Sequence, residues 1–530
     1  MGLDMEKLYG TPAFGTITED HPRVKTTHGM IEGENRDGIA IFRGIPYGAD
    51  CGGERRFLPP LPAEDWEGVR DCTKNGHYAV QMGTSIAADP YYGPFYSGGH
   101  PELFGVEGEE QGEDCLVLNV LTPGLDGKKR PVVFYIHGGG FSSNSGSMIL
   151  GADKWAREED LVLVGVNHRL TALGYMYLGA FDEKYAESGN AGMLDLVLAL
   201  EWVRDNITQF GGDPDEVTIM GESGGGMKVN TLLAMEKAKG LFKRAIAESG
   251  TNVVDGLNKE KATKLTKEIL DRLGVSTNHL EKILEIPAEE IVKAAGGFGR
   301  DGFAPVADNI SIMDKGGKLR VWKTAEQIPM MLGAAEEELA LFSQGEILDI
   351  SEEDVKQFLT TKREGMLNQI IVTPEAADQL ITDFKKIERR QMSADHVFFR
   401  IQSMGSFLGG APWYLAVKKA EAKKAPVYQY MIRKEAKHPG NPAKTYAWHT
   451  EELPWVMRIV LDPEDEEISK TMAHAWAAFA RTGDPSTELL PWKPFTMEEK
   501  EVMIFDDECR MERDPEREIR EALERAGISF

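Results

Sequence analysis

Cysteine is scarce in this chain. Only Cys51, Cys72, Cys115 and Cys509 occur in 530 residues, too few to staple a fold of that size, which argues against a disulfide scaffold and for a reducing compartment. Long apolar runs are missing too: no stretch of ~18 apolar residues is present, which excludes a membrane-spanning helix. Residues 1–16 mix Asp4, Glu6 and Lys7 without an apolar run and do not read as a secretory leader. A mature chain already freed of its leader is the alternative. The charged stretch from Glu508 to Arg525 carries no lipidation signal. Basic charge is in deficit, with 60 Lys and Arg against 86 Asp and Glu and a net charge of -26. That excludes a general nucleic-acid binder, which needs basic surface to displace counterions, and disfavours docking on anionic membranes. Such a field helps cationic ligands approach, but most of it reads as solvated surface. Neither internal repeats nor H-E-x-x-H metal spacing occur, so no metal and no organic cofactor is expected.

What is present is ordinary globular material, 42% apolar and 8% aromatic, in a chain long enough to shelter a buried site. Residues from Val24 to Tyr47 alternate polar and apolar around glycines and predict antiparallel strands with tight turns. Beyond them come short continuous apolar runs at 131–136, 161–166, 217–220, 243–247, 328–332 and 427–432. Runs of that kind suit strands covered on both faces by helices. Residues 192–210 and 259–273 have helical periodicity, with Leu194, Leu198 and Trp202 on one face of the first. The expectation is α/β: a large, mostly parallel central sheet flanked by helices, with an N-terminal antiparallel hairpin. The whole chain, 1–530, reads as a single domain, with 251–325 and 345–425 as helical insertions over its core.

The apolar run at 217–220 leads straight into Gly221-Glu222-Ser223-Gly224-Gly225, and a helix-compatible segment follows to Met235. A glycine-rich βα loop can carry an incidental serine, but the strand–turn–helix setting favours a nucleophile elbow. A serine there sits on a turn too tight for bulky neighbours, with a helix N-terminus behind it to favour developing negative charge. A second glycine cluster, His137-Gly138-Gly139-Gly140-Phe141, follows the run at 131–136. Acyl transfer needs two or three fixed N–H donors for its oxyanion, and Gly139, Gly140 and Gly224 are assigned to that role. A phosphate loop is the competing reading, but no Gly-Lys-Ser/Thr ending is present.

With other motifs, these resemble the carboxylesterase/cholinesterase family of α/β-hydrolases, the type-B carboxylesterases. Phe42 to Tyr47 with Arg56-Phe57, Glu113 to Val120, Gly211 to Pro214, Ala247 to Gly250 and Trp476 to Pro485 all carry the resemblance, which spans about residues 22 to 505. It implies an α/β-hydrolase fold and a serine ester hydrolase without cofactor. Ser223 matches the family nucleophile. The family acid lies in G-x-x-x-D-E-G-x-x-F, and Gly333 to Phe342 fits that spacing, which gives the role to Glu338. Glu337 replaces the Asp of the pattern and Leu339 its second Gly, so Glu337 is the fallback. For the histidine, His396, His438, His449 and His474 follow Glu338 in the chain; His449, in Trp448-His449-Thr450-Glu451-Glu452, matches the family segment.

The resemblance also implies ion pairs Arg56–Glu113 and Arg169–Asp195, a supporting hydrogen bond from Ser249, and a looser role for Glu222 in polarising the site or holding water. Choline-ester relatives use a tryptophan before the Glu113 signature. Residues 79–115 hold none, while Tyr91, Tyr92, Phe95 and Tyr96 offer either an aromatic platform or simple packing. The cysteine that bridges to the Cys115 position in secreted relatives has no counterpart near Ala79-Val80. The expected protein is therefore cytoplasmic, close in character to bacterial para-nitrobenzyl-esterase-like carboxylesterases, and acts on a small-molecule ester. The alternative is a relative that has lost catalysis and serves in binding.

Overall fold

Continuous apolar runs end up where both faces of a sheet are covered. In a computed structural model, eleven strands form that sheet. They are β1 (Glu34–Arg36), β2 (Ile39–Pro46), β3 (Val117–Thr122), β4 (Arg130–Ile136), β5 (Val162–Val166), β6 (Gly212–Glu222), β7 (Arg244–Glu248), β8 (Met330–Ala335), β9 (Val427–Ile432), β10 (Glu501–Phe505) and β11 (Arg510–Arg513). Their order across the sheet is β11-β10-β9-β8-β7-β6-β4-β5-β3-β2-β1. The structure describes residues 17–528 except 91, 99, 107, 251–257, 297–301, 314–325, 344–349, 363–366, 368–369, 388–391, 407–408, 436 and 438–445.

From β10 through β9, β8, β7, β6 and β4 to β5 all neighbours are parallel, whereas β11 and the β3-β2-β1 side pair antiparallel. Apart from the start of β6, the strands of the parallel block are almost wholly buried, as their mostly apolar content requires. A small antiparallel pair, Arg23–Lys25 with Met30–Glu32, precedes β1. Four helices matter below: α1 (Ala191–Asn206), α2 (Gly224–Ala234), α3 (Ala394–Met404) and α4 (Glu466–Thr482). Further helices within 251–325 and 345–425 include Lys259–Arg272, which buries Ala262, Thr266, Ile269 and Leu270 and leaves its charged face in water.

The run at 427–432 is β9 to the residue, while the run at 328–332 becomes a strand two residues later, at 330–335. The charged stretch after Glu508 is more than a solvated end. Arg510–Arg513 pairs antiparallel with β10, and the helix Arg517–Arg525 buries Ile519, Ala522 and Leu523. Charged side chains on an outermost strand also guard it against pairing with another chain.

Because β4, β6, β7 and β8 run parallel, their carboxyl ends lie along one edge of the sheet. The segments that follow them, from His137, Ser223, Ser249 and Glu336, therefore meet there. Ligand sites of open α/β sheets form at such edges.

Candidate active site

Ser223 is placed by a strained turn. It stands between β6 and α2 with φ 56° and ψ -122°, a conformation costly for a residue with a Cβ and held by its surroundings. One restraint is its own N–H, which donates to the Glu248 carbonyl on β7 at 2.8 Å. The turn is too tight for side chains beside it. A Cβ on Gly221 would lie 2.4 Å from the Gly225 carbonyl carbon, and one on Gly225 would lie 2.0 Å from the Ile136 oxygen. Ser223 remains partly exposed, whereas Glu222 is buried.

The glycine loop after β4 lies against the same turn. Gly139 and Gly140 have φ 77° and 62°, and a Cβ on Gly224 would come within 2.4 Å of the Gly140 nitrogen. The backbone at Gly140 and Gly224 is thus in direct contact, and Gly224 follows the partly exposed Ser223. An oxyanion hole needs backbone N–H donors beside its nucleophile, which makes this contact the candidate place for one.

The three consecutive glutamates after β8 diverge. Glu336 reaches Arg433 at 3.0 Å and Arg400 at 3.3 Å. Glu337 holds Nδ1 of His396 and accepts the Ala447 N–H at 3.3 Å. Glu338, fully buried, binds Nδ1 of His449 through one oxygen. Its other oxygen accepts the Ser249 hydroxyl and the Ala335 N–H, both at 2.6 Å. The ring of His449 rests 5.3 Å from that of Phe342, and its Nε2 lies 3.3 Å from Oε1 of Glu222, the residue before Ser223. Thr450, next in the chain, turns the loop with φ 75°. The other histidines have different partners: His474 on α4 contacts Glu159 at 3.0 Å, and His438 lies outside the described residues.

The expected ion pairs are formed. Arg56 grips Glu113 through two 2.6 Å bonds, and Arg169 holds Asp195 at 2.6 and 2.9 Å. Tyr96 is 2% exposed and packs on Phe104, which makes it a core residue and not a surface platform; Tyr91 and the Phe95 side chain lie outside what is described. All four cysteines carry free thiols.

Burial also gathers Glu222 and Tyr96 with groups to which sequence reasoning assigned no role. Glu222, Glu248 and Glu452 share a pocket with Tyr96, Tyr135 and Tyr430; Tyr430 donates to Glu452 at 3.2 Å and the Trp476 indole to Glu248 at 2.7 Å. Burial, reinforced by the neighbouring carboxylates, raises Glu222 well above the usual carboxylate range, and the same causes push Glu452 up to about 7. That shift favours the protonated form of Glu222 beside His449. Lys228, on α2, is fully buried and drawn down to about 7 by burial. Its being the one charged residue of α2 was the available signal for it. Among the described residues, no group of three or more His, Cys, Asp or Glu is placed to hold a metal ion, and no helix is long and apolar enough to cross a membrane.

A model of the carboxylesterase family matches residues 20–521. The chain belongs to the carboxylesterase family. This carboxylesterase is 33% identical to the para-nitrobenzyl esterase of Bacillus subtilis (strain 168), over 95% of this chain and 98% of that one. Its fold superposes on a Geobacillus stearothermophilus carboxylesterase with a TM-score of 0.77 at 32% identity, covering 94% and 99% of the two chains. An esterase from Clostridium hathewayi, described as able to hydrolyse aliphatic aromatic polyesters, matches with a TM-score of 0.74 at 29% identity, covering 97% and 100%. The architecture is the α/β-hydrolase fold, and the protein is a serine hydrolase acting on carboxylic esters.

Proposed function

We propose that this carboxylesterase hydrolyses short-chain or aryl esters through Ser223, His449 and Glu338 and an acyl-enzyme intermediate. The observation that carries the reading is the buried Glu338–His449 pair, whose Nε2 reaches the residue adjoining the strained Ser223. His449 takes the Ser223 proton as Oγ attacks the ester carbonyl, and Gly139, Gly140 and Gly224 donate to the oxyanion. His449 then protonates the leaving alcohol, and water repeats the sequence on the acyl-enzyme. Glu338 orients the imidazole and offsets its positive charge. Burial and the neighbouring carboxylates shift Glu222 toward its protonated form, which disfavours a second ion pair at Nε2. The inclusion of aromatic esters draws support from relatives named as a para-nitrobenzyl esterase and as able to hydrolyse aliphatic aromatic polyesters.

The same reading takes 1–530 as one α/β-hydrolase domain with 251–325 and 345–425 as helical insertions, working in the cytoplasm with its thiols free. Ser223→Ala should abolish p-nitrophenyl acetate hydrolysis by the pure protein and block labelling by a fluorophosphonate probe. Retained turnover in that variant sinks the assignment. A wild-type protein that neither hydrolyses esters nor takes the probe would instead be a binding relative.

A further inference from the structure

An ammonium group is costly to bury, and Lys228 buries one in the second turn of the helix that starts at the nucleophile. Its Nζ makes one hydrogen bond among the described residues, to the carbonyl oxygen of His137 at 3.0 Å, and lies 5.6 Å from the ring of Phe141. Those two residues are the ends of the Gly138-Gly139-Gly140 segment. A Cβ on Gly138 would come within 3.0 Å of both the carbonyl and the carboxyl oxygens of Glu222. The loop therefore lies against both an amine from α2 and a carboxyl from β6.

The groups facing Nζ are Glu222 on β6, His137 in the loop and His168 after β5. The two imidazoles stack with centroids 4.8 Å apart and planes at 10°, and each Nδ1 meets a backbone oxygen at 3.0 Å. Burial, with Lys228 as the next cause, holds both histidines far below their usual titration range. Lys228 is itself drawn down to about 7 by burial. A neutral amine still donates to a carbonyl, so the anchor on His137 persists in either protonation state.

We propose that Lys228 is a positioning residue for the oxyanion loop, its bond to the His137 carbonyl fixing the peptide plane from which Gly138 to Gly140 depart. The N–H groups of Gly139 and Gly140 then face Ser223 before substrate arrives, which is the preorganisation that oxyanion stabilisation depends on. The inference rests on Ser223 being the nucleophile.

The test compares Lys228→Met, which fills the space without a donor, with Lys228→Gln, which keeps a donor without the charge. Met is expected to lower kcat for p-nitrophenyl acetate by about ten- to a hundredfold with KM within about twofold, as misplacement of reacting groups does. Binding of a trifluoromethyl ketone, which adds to the serine and generates the oxyanion, should weaken by a similar factor. Gln should recover most of both losses. A Met variant with wild-type kcat and ketone affinity overturns the proposal, and so does a Gln variant as impaired as Met, because charge would then outweigh the anchor. Should Met not fold, Lys228→Leu, which is smaller and also lacks a donor, carries the same expectation. Wild-type hydrolysis that survives Ser223→Ala would take down the reading of the site itself, and the role of Lys228 with it.

Discussion

Glu337 and Glu338 are neighbours in the chain, and each holds the Nδ1 of a histidine through one carboxylate oxygen. Their second oxygens differ in use. Glu338 spends its own on the Ser249 hydroxyl and the Ala335 N–H, deep at the carboxyl end of β8. Glu337 spends its own on the Ala447 N–H and also donates its backbone N–H to the Ala447 carbonyl at 2.8 Å. His396 sits on α3 with its ring 4.4 Å from Tyr446, while the far nitrogen of His449 lies beside the Ser223 turn. A carboxylate–histidine pair is thus no signature of catalysis by itself. One pair lies beside the Ser223 turn, and the other fastens the segment 446–447 that leads into His449.

That contrast can be broken most severely at the histidines. His449→Gln should reduce kcat/KM by about 10⁴-fold or more, the scale seen when a triad member is removed. His396→Gln should leave kcat within roughly tenfold, since it acts only through the loop. Equal losses in steady-state assays would erase the distinction. The glutamates give the next test. Glu338→Gln should cost about 10³- to 10⁴-fold in kcat by presenting the imidazole with an N–H where it needs an acceptor. Glu337→Gln should show instead as about 1–3 kcal/mol of lost stability in chemical denaturation, from buried bonds weakened.

A smaller effect is expected at Ser249→Ala, which removes one donor to Glu338: about 1 kcal/mol of stability, with KM unchanged. The smallest concerns pH. Glu452 keeps its proton in the fold up to about 7, whereas the unfolded chain releases it in the ordinary carboxylate range. The folded state therefore binds more protons between about pH 4.5 and 7, and this group makes stability fall as pH rises through that window. Glu452→Gln should flatten that part of the melting temperature profile; an unchanged slope would show that Glu452 ionises normally.

Much of this was legible from local pattern. The nucleophile turn announces itself because strand, glycines and helix must be contiguous, and the backbone of β9 follows its apolar run residue for residue. The edge strand at Arg510–Arg513 was not legible, because its charged side chains carry no burial pattern and only pairing with β10 makes it a strand. Glu337 stayed as the fallback to Glu338 for a similar reason. Three identical side chains leave a strand end in different directions, and which histidine each one meets depends on α3 and on the loop before His449.

Sequence alone therefore determined the family, the α/β pattern and the serine at the turn, all of which are properties of contiguous residues. Only the tertiary structure decided that Glu338 faces His449, that Glu337 holds His396 and Ala447, and that Glu222 and Lys228 are buried against the glycine loop with their charged forms disfavoured. Direction and burial are set by chain segments hundreds of residues apart, and it is burial that removes the water a carboxylate or an ammonium needs to keep its charge.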